Sequence, residues 1–374
     1  MGPAVRIHRR GSITVTVAGL SGDQTAAFRR HLAAHEASLQ PGYSFPAPGE
    51  LLLTGTLLQV RQLVQGLRSD RHIPSSLIAD LECRLDNYLR SDYKIAVGDR
   101  VLDLGGRTHL MGILNVTPDS FSDGGLFAGH AAAVEHAREM AGQGADIIDI
   151  GGESTRPGAE TLSDEEELRR ILPVIERLKS EIATPLSVDT YKSTVAVRAL
   201  RAGVSIVNDI SGLRFSPDMA RVVADHGAAV VIMHIKGTPR DMQLNPVYGD
   251  VIGEISGYLE EGIDIARNAG IARDKIMIDP GIGFGKTLAH NLEILDRLDE
   301  FRTLGCPIVL GTSRKRFIGT VLNIPEPKDR LEGTAATVAL GIRQGAGIVR
   351  VHDVGPMVKV ARMTDAIVRS VRSS

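Results

Sequence analysis

The chain has 374 residues, more than the roughly 250 of a lone parallel α/β barrel and enough for a barrel plus an added module. Hydrophobic residues make up 43%, the formal net charge is −2, and no run of five like charges occurs, so neither nucleic acid nor a membrane is an expected partner. Cys83 and Cys306 lie far apart, with no His or Cys at metal-ligand spacing, which disfavours a disulfide framework and structural zinc and fits a reducing compartment. Met1 to Leu20 is basic without a sustained apolar stretch, and no 18-residue apolar span appears, so a cytoplasmic protein is expected.

Residues 1–92 read as a small N-terminal α/β module. Ser12–Gly19 and Glu50–Thr54 are predicted strands, Gln24–Ser38, Leu57–Arg68 and Ser75–Leu89 amphipathic helices, and Gln40–Gly49, with its three prolines, a loop. No cluster of catalytic residue types occurs in this module. Tyr93–Leu104, broken at Gly98-Asp99, reads as a hairpin able to plug the N-terminal face of a barrel.

From Thr108 onward apolar strands alternate with amphipathic helices. The predicted strands are His109–Asn115, Asp146–Gly152, Leu186–Asp189, Ser205–Asp209, Val230–His234, Lys275–Asp279, Pro307–Thr312 and Ile348–Asp353. Their continuous Val/Ile/Leu character is that of parallel strands buried on both faces. Ser163-Asp-Glu-Glu166 is a capping-box pattern opening a helix over Glu165–Glu181; Ser216-Pro217 puts Pro at a helix start, and Gly227 follows that helix. The expectation is a (β/α)8 TIM barrel over 93–374, carrying catalysis, with a doubly wound open sheet as the alternative.

Polar groups collect where the strands end. Asp189, Asn208, Asp279 and Lys315 adjoin apolar strand residues. Buried without partners, such groups cost roughly 1–3 kcal/mol each. A flat heterocycle with N–H donors and carbonyl acceptors satisfies all four; a structural Asp279–Lys315 salt bridge accounts for two and leaves the others without a role. Thr155, Arg156, Arg350 and His352 form a second, anion-directed group suited to a diphosphate, and Asn115 offers an oxygen to Mg²⁺. Two glycine-rich loops, Ser122–Gly125 and Gly151–Gly158, have the freedom to close over a ligand. Gly281-Ile-Gly-Phe-Gly-Lys286 lacks Walker spacing and is rejected as a phosphate loop. His234, with no partner at metal-ligand spacing, reads as structural or as a support behind the site residues. There is no Gly-x-Ser-x-Gly elbow, and neither cysteine has a nucleophile's surroundings.

Eight segments in order, Met111–Gly125, Gly144–Ala159, Pro185–Thr190, Val207–Gly212, Met233–Gln243, Ile278–Lys286, Gly311–Gly319 and Arg350–Val354, resemble dihydropteroate synthase, the folate-pathway family targeted by sulfonamides. The resemblance spans residues 105–374. It implies a transferase that condenses 6-hydroxymethyl-7,8-dihydropterin diphosphate with 4-aminobenzoate, releasing pyrophosphate, with Mg²⁺ as cofactor. Asp189, Asn208, Asp279, Lys315, Met233 and Gly311 would hold the pterin, with Asp189, Asp279 and Lys315 catalytic. Asn115, as metal ligand, would bind the diphosphate with Thr155, Arg156, Arg350 and His352. Phe121, Pro157, Phe284 and Arg316 would form the aminobenzoate site. Arg316 stands where many members carry Ser, which implies tuned affinity for the aminobenzoate carboxylate. Residues 1–92 lie outside the resemblance.

Two other functions stay open. A pterin-binding methyltransferase serving a corrinoid protein shares the barrel, but Ser154-Thr155-Arg156 with Arg350 and His352 favours diphosphate chemistry. A non-catalytic paralogue is expected to have lost rim residues, and none is missing. Barrels of this sort commonly pair through outer helices, so a homodimer is expected, with the apolar segments Ala335–Gly347 and Gly355–Val371 as candidate seam.

Overall fold

The computed structural model describes residues 4–10, 12–34, 42–44, 46–116, 125–154 and 161–370. The chain divides into two compact units: Met1–Arg90 with Asp299–Gly305, and Ser91–Leu298 with Cys306–Ser374.

The first unit is a four-stranded antiparallel sheet of β1 (Ala4–Arg10), β2 (Ser12–Ala18), β3 (Gly42–Ser44) and β4 (Leu51–Gly55), in the order β1-β2-β4-β3. Helices α1 (Gly22–Ala34), α2 (Leu57–Leu67) and α3 (Ser75–Leu89) cover it. Alternate residues Ile13, Val15, Val17, Leu51 and Leu53 bury with Phe28, Leu63, Leu67, Leu81 and Leu85 in one core. Their neighbours along β2 and β4 stay half-exposed, the signature of a sheet covered on one side. Two strands exceed the sequence expectation. Val5 and Ile7 alternate with basic residues in β1, and the stretch expected as loop supplies the three-residue edge strand β3, a length too short to leave a periodic signal. Of the expected helix to Ser38, the part beyond Ala34 lies outside the described residues. Asp299–Gly305 joins this unit through Tyr88, whose hydroxyl donates to Asp299 Oδ2 (2.5 Å), and Asn87, which donates to the Thr303 carbonyl (3.0 Å).

The second unit opens with the hairpin β5 (Lys94–Val97) and β6 (Arg100–Asp103). Eight parallel strands follow: β7 (His109–Asn115), β8 (Ile147–Gly151), β9 (Leu186–Asp189), β10 (Ile206–Asp209), β11 (Ala229–Met233), β12 (Ile276–Asp279), β13 (Ile308–Leu310) and β14 (Ala346–Val351). Pairing of β14 with β7 closes the barrel, which removes the open-sheet alternative. The helices are α4 (Gly125–Gln143), α5 (Asp164–Glu181), α6 (Ser193–Arg201), α7 (Met219–Asp225), α8 (Val251–Asn268), α9 (Leu288–Asp296), α10 (Arg316–Leu322), α11 (Leu331–Arg343) and α12 (Val354–Ser370).

Ile95, Val97, Leu102 and Leu104 of the hairpin pack with Met111, Ile147, Ile206, Val231, Met277, Val309 and Ile348, early residues of the barrel strands. The hairpin thus seals the end where strands begin and leaves the other mouth for chemistry. Ser163 Oγ caps α5 by accepting from the Glu166 N–H (3.2 Å), the first half of the predicted capping box; the Glu166 carboxylate accepts from Arg169 and Arg170 instead of closing the second half. The predicted start of α7 is corrected: Asp218 is its N-cap, so Pro217 precedes the helix, while Gly227 follows it at φ +59°. Among the described residues, no helix is long and apolar enough to cross a membrane.

Candidate active site

Strand register places the polar residues side by side. Asn115 pairs with Gly151, Gly151 with Asp189, Asp189 with Asn208, and Met233 with Asp279, so the strand ends form one rim. Arg350 is the penultimate residue of β14, Gly311 follows β13, and Lys315 is the N-cap of α10.

The centre of this rim is a charged network. Asp149 of β8, fully buried, accepts from Asn208 Nδ2 (2.9 Å) and Arg350 Nε (2.6 Å) on one oxygen, while Arg350 Nη2 donates to Asp189 Oδ2 (2.7 Å). Arg350, expected in the diphosphate group, therefore stands between two carboxylates, one of them Asp189 of the expected pterin group. A Cβ built on Gly311 would lie 3.8 Å from Asp279 Oδ2 and 4.0 Å from Lys315 Nζ. The missing side chain leaves that convergence open to a ligand. Lys315 Nζ donates to the Ile282 carbonyl and stands 4.7 Å from the Phe284 ring centroid. Half-buried Phe284 packs against the cluster of Ile210, Met233, Ile235 and Met242.

The glycine-rich segment before Lys286 forms a tight turn, not a phosphate cradle. Gly281, at φ +70°, lies so close to the His234 carbonyl that a Cβ would sit 1.9 Å from it, so only glycine fits. Lys286 is buried, with Nζ 2.8 Å from His234 Nδ1 and donating to the Phe284 carbonyl (3.0 Å). Beside the rim, Lys192 Nζ contacts Glu153 Oε2 (2.5 Å), Glu167 Oε2 (2.8 Å) and the Leu162 carbonyl (2.7 Å), and Tyr191 donates to Glu153 Oε1 (2.6 Å).

Burial sets the protonation behaviour. It raises the Asp279 carboxyl against the opposing pull of Lys315, and raises Asp189 against Arg350, with help from the negative charge of Asp149. It lowers Lys315 to about 8 despite Asp279. Burial and then the charge of Lys286 push His234 down to about 2, so His234 is a neutral, structural imidazole.

His352 keeps its Nδ1 3.0 Å from Ser313 Oγ, and Arg316 is exposed at the first position of α10. Thr155, Arg156, Pro157 and Phe121 lie outside the described residues. Among the described residues, no group of three His, Cys, Asp or Glu is placed to hold a metal. Asn115 Oδ1 and Asp189 Oδ2 do approach the same point, 3.9 and 3.8 Å from where a Gly151 Cβ would stand. Sequence reasoning passed over Asp149, whose signal was a carboxylate inside the otherwise apolar Ile147–Gly151, and Lys286, set aside with the rejected motif.

Comparison with known proteins agrees with this arrangement. The family model for pterin binding enzymes matches residues 111–352. The dihydropteroate synthase of Synechocystis is 49% identical over 282 residues, covering 75% of this chain and 98% of that protein. A crystal structure of dihydropteroate synthase from Clostridium difficile, obtained in the presence of pteroic acid, is 52% identical with a TM-score of 0.69, covering 72% of this chain and 99% of that one. The Xanthomonas albilineans dihydropteroate synthase in complex with 7,8-dihydropteroate is 42% identical with a TM-score of 0.67, covering 73% of this chain and 98% of that one. With its strand-end residues gathered at one mouth of a closed barrel, the chain belongs to the pterin-binding enzyme family and, within it, to the dihydropteroate synthases.

Proposed function

We infer that this chain makes 7,8-dihydropteroate, condensing 6-hydroxymethyl-7,8-dihydropterin diphosphate with 4-aminobenzoate and releasing pyrophosphate, a transferase step of folate biosynthesis. The observation that carries the residue roles is the meeting of Asp279, Lys315 and Arg350 around side-chain-free Gly311, with Asp189 bonded to Arg350. Asp189 and Asp279 accept from pterin N–H groups, Asn208 and Lys315 complete the ring's hydrogen bonds, and Met233 packs against its face.

In the reaction the methylene–oxygen bond breaks, its electron pair leaving with pyrophosphate, and the arylamine nitrogen forms the new bond and passes its proton to the released pyrophosphate. Positive charge builds on the pterin as the anion departs, and the two carboxylates stabilise it. A neutral arylamine needs no strong base, so the reaction asks for no activated nucleophile from the protein. Thr155, Arg156, Arg350 and His352 receive the diphosphate. Arg350 has five N–H donors, and the bonds to Asp149 and Asp189 use two of them. Phe121, Pro157 and Phe284 wall the aminobenzoate, and Arg316 receives its carboxylate.

Asn115 fits Mg²⁺ because a hard cation needs few protein oxygens when phosphate oxygens complete its shell. Bound there, Mg²⁺ supplies charge neutralisation for the leaving group. A cytoplasmic location, consistent with two free cysteines, and a homodimer are further parts of the proposal. Purified protein given pterin diphosphate, radiolabelled 4-aminobenzoate and Mg²⁺ is expected to yield labelled dihydropteroate; absence of that product rejects the assignment.

A further inference from the structure

Asp149 lies outside every role assigned above, yet it sits at the base of the rim with no exposed surface. A carboxylate can only accept, so the bond to Asn208 fixes which end of that amide faces inward: Nδ2 turns to Asp149 and Oδ1 turns away. Asn208 makes no other side-chain hydrogen bond among the described residues, so its carbonyl oxygen stays uncommitted. The same Asp149 oxygen holds Arg350 through Nε and thereby aims Nη2 at Asp189. The other oxygen, Oδ1, is buried with no partner among the described residues, and so is Ser187 Oγ, its neighbour across the β8–β9 register.

We propose that Asp149 is a positioning residue of the pterin pocket: it locks Asn208 with its carbonyl oxygen toward the ligand and sets the Arg350 guanidinium against Asp189. The pocket then presents acceptors at three neighbouring places, Asn208, Asp189 and Asp279, matching a ring edge rich in N–H donors. The inference rests on the pterin-pocket assignment of the preceding section. Asp149→Asn keeps the shape but can donate to Asn208, which frees that amide to flip.

The test is a double-mutant cycle on pterin diphosphate affinity, measured by calorimetry, with D149N, N208A and the double variant. D149N is expected to weaken pterin diphosphate binding about 10- to 100-fold while the KM for 4-aminobenzoate stays within about twofold. In the N208A background the added loss from D149N should shrink, because the two residues act through one bond. Wild-type affinity in D149N alongside weakened N208A overturns the inference and leaves the pocket assignment standing; so do fully multiplicative effects. Wild-type affinity in N208A instead overturns the pocket assignment and this inference with it. Should D149N fail to fold, the Asn208 side-chain amide signal of the ¹⁵N-asparagine-labelled wild-type protein decides. Slow exchange of an Nδ2 proton is expected, and rapid exchange overturns the inference.

Discussion

Lys315 and Asp279 are each driven toward neutrality by burial and each held charged by the other. For Lys315 the balance leaves a pKa of about 8, below the 10.5 of a free lysine. In the ligand-free protein its ammonium is therefore lost as pH rises through about 8, so pterin diphosphate affinity should fall between about pH 7.5 and 9.5. Calorimetric titrations across that range check it, and constant affinity to about pH 10 would contradict the role of Lys315. Asp279→Ala removes an acceptor for two parallel N–H bonds and is expected to weaken pterin binding about 100-fold or more. Near-normal turnover in that variant would refute the pocket. His234 bears on stability instead. Its folded pKa is about 2 against about 6.5 for a free histidine, so below about pH 6.5 the unfolded chain takes up a proton that the folded chain refuses. Stability is lost as pH falls through that window, and His234→Asn should flatten the loss, as read from denaturant melts between about pH 6.5 and 4.

At the scale of elements, the polar residues that follow the apolar strands are held by side chains from elsewhere at two places among the described residues. The turn over 281–285 gives its Ile282, Gly283, Phe284 and Gly285 carbonyls to Lys315, Gln243, Lys286 and Tyr248 respectively. Four side chains thus hold the turn that carries Phe284, which explains how a run of glycines stays ordered. Lys192 does comparable work at the β8 end, joining Glu153 and Leu162, which flank residues 154–161, to Glu167 of α5. Lys192→Met would leave two buried carboxylates without their cation. The expected cost is about 3 kcal/mol or more, measured by urea denaturation. A loss under about 1 kcal/mol would mean that the network contributes little.

On the outer surface, Leu340 of α11 and Met363 and Ile367 of α12 are exposed, on two helices that pack on one another. If these helices form the proposed homodimer seam, sedimentation should give a dimer in the wild type and a monomer in a Met363→Lys/Ile367→Lys variant. A monomeric wild type would end that proposal. The barrel and its polar rim were legible from the chain alone, because eight apolar runs must bury both faces and runs such as those ending at Asn115, Asp189 and Asp279 stop at polar residues. Local signals also gave the Ser163 cap and the Gly98-Asp99 hairpin. Edge strand β3 was not legible, since three residues carry no period. What tertiary structure alone decided is the wiring of the site. Asp149 is an anomaly inside an apolar strand until Arg350, 201 positions later, closes the barrel beside it. A hydrogen bond depends on where two strands meet in space, and no window of sequence contains that meeting.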